Sequence, residues 1–375
     1  MKYKFDGMKI LIAPDKFKGS LSAKSLCDAI AEGILKRKPE AHIIKFPLAD
    51  GGEGSLDIIE EHLDLTTITI EVNDPLFRKI KASYKIHDYT AYIEMASASG
   101  FDLLTEDERN PMLTTTYGTG EMIQDAIDRG IEKIYLFIGG SATCDAGMGM
   151  AQALGFIFLD NEGIALKGIG KNLSEIDKIL LPADETYTQI EFITLCDVKN
   201  PLFGKNGAAH VFAPQKGASI DEVKQLDTGL RNFAIKVNEY LDEQVQLIPG
   251  SGAAGGLGAG SIAFLGARLQ SGIQSIFDIV KFEKQLQKID LIITGEGKLD
   301  KQTLNGKVIS GVAEYSRKLG IPFNVICGDV DLDETDLEEL GVNRLASVMG
   351  AAKSREDAFE NTYTIVSQIS EELWD

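Results

Sequence analysis

The chain has 375 residues, enough for two to three domains, and its 44% hydrophobic and 25% charged residues match a globular protein with a sizeable core. Its 57 acidic and 38 basic residues give a formal net charge of −19, which argues against nucleic acid as a partner, because neutralising phosphates needs clustered Lys and Arg. No apolar run approaches the ~18 residues needed to span a bilayer, and no signal-peptide core is seen, so no membrane association is expected.

The opening "MKYKFDG" reads as a short extension before the first strand, "MKILIAPD" (8–15). A helix follows over 22–39 and ends at Pro39; "AHIIKFPLAD" (41–50) is a second strand and "GSLDIIEEHL" (54–63) a second helix. The pattern then changes to alternation without helices over 66–86 and 89–96, which predicts an antiparallel meander and a new domain from about residue 66. A long α/β stretch comes next, with helices at 119–130 and 147–155, strands at 133–140 and 191–198, a strand-like "AHVFAP" (209–214), and helices over 221–241, 258–269 and 273–288. From residue 290 strands and helices alternate again, with strands at 290–297, 322–329 and 344–350, helices at 306–320 and 333–341, and one amphipathic helix over 354–374.

The economical assembly is an α/β protein whose two ends share one doubly wound, five-stranded parallel sheet. Residues 1–65 and 290–375 form this discontinuous Rossmann-type domain, and 66–289 form an inserted α/β domain. Ligands bind beyond the carboxyl ends of such strands. "APDKFKGS", "LADGGEGS", "TGEGKLD" and "CGDVD" therefore fall along one rim, and a cleft-type enzyme with its active site between two lobes is expected.

Each rim stretch sets a carboxylate or Lys beside Gly: Asp15, Lys16 and Lys18; Asp50 and Glu53; Glu296, Lys298 and Asp300. Any one of them is equally a turn or helix cap. Together they suit a Mg²⁺–phosphate site, since Mg²⁺ takes one or two carboxylates plus substrate phosphates, Lys balances phosphoryl charge, and Gly admits backbone amides. In the inserted part, "FIGGSATCDAGMG" joins Gly139, Gly140, Ser141 and Thr143 to Asp145 ahead of a helix. This is a phosphate cradle or a set of packing glycines. Asp197 ends a further strand, where a turn before Asn-Pro explains it as well as function does.

"PGSGAAGGLGAG" contains G-x-G-x-x-G at Gly250, Gly252 and Gly255, but no clear strand precedes it and no acidic residue follows at the required distance. It reads as a phosphate-approaching loop at a helix start. The four cysteines (Cys27, Cys144, Cys196, Cys327) show no C-x-x-C spacing and the four histidines no cluster, so structural zinc is not expected. Reduced thiols point to the cytoplasm. "GGSAT" is not a nucleophile elbow.

Taken in order, "KILIAPDKFKGSLSA", "PLADGGEG", "TTTYGTGEMI", "IGGSATCDAGMGMAQALG", "CDVKNPLFGKNGAAHVFAPQKGA", "PGSGAAGGLGAG" and "ITGEGKLDKQTLNGKV" resemble the bacterial type I glycerate kinase family, from about Met8 onward. Two departures stand out: Cys144 and Ala146 replace the Asn and Gly of the family's "GGSATNDGG".

The resemblance implies ATP- and Mg²⁺-dependent phosphorylation of D-glycerate by a two-domain protein, one part flavodoxin-like. The 2-hydroxyl is preferred over the 3-hydroxyl as acceptor, and the chain is expected as a monomer or homodimer. On this reading Asp50, Asp197, Asp300 and Lys18 serve catalysis, and Asp145 and Glu296 hold the metal. Lys16, Gly51, Gly52, Gly139, Gly140, Ser141, Thr143, Gly252, Gly255, Gly256 and Lys298 bind nucleotide or substrate. The competing classes are an NAD-dependent oxidoreductase using the Gly250 loop and a non-catalytic small-acid-binding protein.

Overall fold

The computed structural model describes residues 7–52, 54–301, 303–305 and 307–373, so Glu53 and residue 374, where the last helix is expected to end, lie outside the described residues. The chain divides into two compact units, Met1–Leu63 with Ser271–Asp375, and Asp64–Gln270.

The first unit is built on a five-stranded sheet in the order Arg344–Ser347, Phe323–Cys327, Leu291–Thr294, Lys9–Ile12, His42–Lys45. Every neighbouring pair is parallel. Numbered along this unit the order is 2-1-3-4-5, the flavodoxin-like winding, whose direction reverses between the first strand and Leu291–Thr294. Side chains alternate across the sheet. Ile10, Ile12, Leu291, Ile293 and Ile326 join a core with the helices Ala23–Arg37 and Thr362–Glu372. Leu11, Ile292 and Val325, one position out of step, are equally buried, which is why these strands read as unbroken apolar runs.

Residues 271–289, assigned to the insertion on sequence grounds, pack within the first unit. Phe277 stacks on Phe282 at 4.4 Å, and both meet Tyr315 edge-on. The predicted single helix over 273–288 is two, Gly272–Ile279 and Phe282–Gln285, because Lys281 takes a left-handed backbone (φ 53°). The last helix is also two, Arg355–Glu360 and Thr362–Glu372.

The second unit carries a six-stranded mixed sheet. Arg268–Gln270, Glu191–Leu195, Lys133–Phe137 and Thr90–Glu94 are parallel, and the meander continues antiparallel through Lys79–His87 to Thr66–Asn73. The strand-like 209–214 is a helix, Ala208–Phe212. A short apolar run leaves strand and helix undecided until its packing is fixed; here Ala208, Ala209 and Ala213 all turn inward. Arg268–Gln270, read as the end of a helix, is an edge strand beyond Gly266, whose left-handed conformation ends the helix Ala253–Leu265.

Candidate active site

The carboxyl ends of the first unit's strands open into a cavity of about 600 Å³ lined by Asp15, Lys16, Lys18, Asp50, Glu296, Lys298, Lys307, Asp329 and Arg355, among others. Asp15 follows the first strand, and its amide donates to Gly295 O at 2.8 Å, tying the two loops that flank the winding reversal. Asp50 follows the second strand. Its Oδ1 accepts the Gly52 N–H at 3.0 Å, a turn held by its own side chain. Gly51 (φ 93°) is required there, because a Cβ would lie 2.3 Å from Gly272 Cα.

Glu296 is 4% exposed, accepts a hydrogen bond from Thr303 Oγ1, and has Lys307 Nζ 3.9 Å away. Burial pushes its carboxyl up to about 7, opposed by Thr303 and Lys307 and aided by Asp300 and Asp50. Burial, then the charge of Asp50, raises Asp15 to about 7 as well, with Glu296 adding a smaller push. Three acidic groups thus face one another across this end of the cavity. Among the described residues no group of three or more His, Cys, Asp or Glu is placed to hold a metal ion. Mg²⁺ does not require one, since it is held by one or two carboxylates together with phosphates, and this donor set fits that habit.

Among the cations, Lys298 reaches Asp331 at 2.8 Å on an exposed flank, while Lys18 and Arg355 have no ion-pair partner among the described residues. The Glu296 loop runs beside Lys18: a Cβ on Gly297 would meet the Lys18 amide nitrogen at 3.4 Å, an ordinary contact. Asp300 is not in the cavity lining; its amide donates to Thr303 Oγ1 at 3.2 Å, positioning the hydroxyl that serves Glu296.

The remaining predicted site residues belong to the second unit. Asp145 is fully buried. Its Oδ2 accepts from Thr116 N–H and Oγ1, both at 2.8 Å, and from Gly149 N–H at 3.1 Å, while Oδ1 takes Gly147 N–H at 3.3 Å. With four donors on two oxygens this carboxylate braces the turn into the helix Met148–Ala153. Asp197 is exposed after the strand Glu191–Leu195.

Gly139 and Gly140 are exposed, with nothing within 4 Å of a Gly139 Cβ. Ser141 and Thr143 sit over Lys216, a 3%-exposed cation whose Nζ donates to Ser141 Oγ and Thr143 O, each at 2.7 Å. Burial lowers Lys216 to about 8. Gly252, Gly255 and Gly256 pack instead of opening toward a ligand: Cβ atoms there would lie 2.2 Å from Pro201 O, 2.0 Å from Thr143 O and 3.0 Å from Ala146 Cα. The segment before them is a 3₁₀ turn, Val245–Leu247, so the strand that a dinucleotide fingerprint demands is missing.

Asp15, Lys307, Arg355 and Lys216 were not among the residues assigned roles from sequence. Asp15 carried a signal, its place directly beyond the first strand; Lys216 carried none, because only the fold buries it.

These features define a two-unit α/β enzyme with a cation- and carboxylate-lined site at a sheet's winding reversal. The model of the glycerate kinase family matches residues 10–375, and the chain belongs to that family. It is 39% identical to a glycerate kinase of Halalkalibacterium halodurans over 97% of both chains. It is 38% identical to the glycerate 2-kinase of Escherichia coli K12, covering 98% of this chain and 97% of the relative. A crystal structure of a provisionally named glycerate kinase 2 from Salmonella typhimurium LT2 superposes with a TM-score of 0.86 at 38% identity, over 98% of this chain and 97% of that one. As a member of the family the chain is a phosphotransferase acting on an alcohol group, with ATP as co-substrate.

Proposed function

We propose that the chain phosphorylates D-glycerate at its 2-hydroxyl, with the first-unit cavity as the reaction site. The observation that carries this reading is the convergence of Asp15, Asp50 and Glu296 with Lys18, Lys307 and Arg355 around one cavity at the winding reversal. An anion sensor would line such a site with cations alone. A phosphoryl-transfer site needs cations for the phosphates and carboxylates for a metal and a proton.

In the proposed reaction the glycerate hydroxyl oxygen bonds to the γ-phosphorus, the bond to the β-bridging oxygen breaks, and ADP leaves. The hydroxyl proton passes to the Asp50 carboxylate and then to solvent. Asp15 and Glu296 would hold Mg²⁺, which when bound neutralises charge on the phosphate oxygens. Lys18 and Lys307 hold the triphosphate, and most of the rate comes from this positioning and charge balance. Thr303 fixes the Glu296 carboxylate by donating to Oε1. The exposed Gly139–Gly140 turn is proposed as a second anion-binding backbone. Residence in the cytoplasm belongs to the same proposal; it rests on four free thiols, three of them buried.

The test is incubation with ATP, Mg²⁺ and D-glycerate, followed by phosphorus NMR of the product. A phosphomonoester on carbon 2, formed with glycerate-dependent ADP release, is expected. ADP release indifferent to glycerate would sink the acceptor assignment, and a carbon-3 ester would overturn the regiochemistry.

A further inference from the structure

The same cavity has a part that small-acid chemistry leaves unused. Its volume of about 600 Å³ lies within the ~300–1,000 Å³ typical of sites for drug-sized ligands, whereas glycerate is far smaller. Beside the charged groups, the segment 348–362 contributes Val348, Met349, Ala358 and Phe359 to the lining. Phe359 is 52% exposed, and its ring meets no other aromatic ring among the described residues. Thr362 opens the next helix, its hydroxyl joined to that of Ser20, which also lines the cavity. In the same stretch Arg355 presents a guanidinium with no ion-pair partner among the described residues.

We infer that Phe359 and Met349 form the platform for the adenine of ATP, and that Arg355 binds its phosphates. This rests on the kinase reading above and deepens it. An aromatic face left open to solvent offers a flat apolar surface of the kind on which bases stack. A three-carbon acid has no group to use it. The guanidinium fork matches phosphate oxygens in pairs. An apolar wall next to a cation that has no ion-pair partner among the described residues, continuous with a carboxylate set suited to Mg²⁺, reproduces the base, phosphate and metal sequence of a bound nucleotide.

Calorimetric titration of the full chain with ADP and with tripolyphosphate, both without glycerate, separates the parts. Phe359→Ala is expected to weaken ADP about 10-fold while leaving tripolyphosphate unchanged. Phe359→Trp should retain ADP binding. Arg355→Gln should weaken both probes. Because Phe359 is half exposed, its truncation opens no core cavity. ADP affinity unchanged in Phe359→Ala, equal loss of both probes in that variant, or no ADP binding by the wild type each overturns the inference. A wild type that binds ADP with this pattern but forms no product from glycerate would overturn the acceptor assignment alone.

Discussion

Lys216 and Ser141, 75 residues apart in sequence, are joined by a 2.7 Å hydrogen bond from Nζ to Oγ, and the same Nζ donates to Thr143 O. The cation is buried beneath a loop with the Cys144 thiol and the Asp145 carboxyl as its titratable neighbours. Lys216→Ala removes the donor from two acceptors and leaves a void, so a loss of about 2–4 kcal/mol in urea unfolding at pH 7.5 is expected. The pH dependence has a definite sign. Burial lowers Lys216 from 10.5 to about 8, so between these values the unfolded chain binds more protons and stability rises with pH. The gap between wild type and Lys216→Ala should therefore widen from pH 8 to 10. The buried thiols, raised to about 12, act in the opposite direction, and the difference measurement largely cancels those of Cys27 and Cys327, which lie in the other unit.

Asp15 and Glu296 give the reverse slope. Asp15 faces Asp50, Lys16 and Glu296, and Glu296 faces Thr303, Lys307, Asp300 and Asp50. Both are raised to about 7, from 3.8 and 4.5, chiefly by burial. Between about pH 4 and 7 the folded state holds protons that the unfolded chain has released, so stability falls as pH rises. Asp15→Asn should flatten this decline and gain about 1–2 kcal/mol at pH 8 in nucleotide-free protein, while phosphoryl transfer drops. Thermal unfolding from pH 4 to 8 checks it, and an unchanged slope would remove Asp15 from the coupled set.

The α/β pattern of both chain ends was legible because strands such as Lys9–Ile12 and Leu291–Thr294 are buried on both faces and bounded by Gly and Pro. The rim position of Asp15, Asp50 and Glu296 followed from that pattern alone. Asp145 and Lys216 were not legible. The donors Thr116 and Gly149 reach Asp145 only through the fold, and a Lys in "PQKGA" reads as surface until the Ser141 loop closes over it. Periodicity likewise could not place the break at Lys281, since a non-glycine left-handed residue follows local packing and leaves no pattern.

Two glycines assigned alike to binding should behave differently. At Gly255 the backbone is left-handed (φ 67°) and a Cβ would lie 2.0 Å from Thr143 O, so Gly255→Ala should cost more than about 2 kcal/mol. At Gly139 nothing lies within 4 Å, and Gly139→Ala should stay within about 0.5 kcal/mol of wild type. If the Gly139–Gly140 turn receives an anion, KM for one substrate rises in Gly139→Ala at an unchanged melting temperature. Unchanged kinetics would return the turn to a purely structural role.

Asp50 and Asp145 end similar glycine-rich turns, and their amides separate chemistry from architecture. Asp50 lines the cavity and uses one oxygen for the Gly52 N–H, a bond that Asn can still accept. Asp50→Asn should therefore fold normally and bind ADP, yet lose about 10²–10⁴ in kcat, because an amide cannot take the hydroxyl proton. Asp145 accepts four hydrogen bonds while fully buried, and Asn would turn an N–H₂ group toward donors. Asp145→Asn should cost about 2–4 kcal/mol in stability, with kcat recovered in proportion to the folded fraction. Should Asp50→Asn keep its kcat while Asp145→Asn folds well and loses turnover, the two roles are reversed and the reaction site belongs to the second unit.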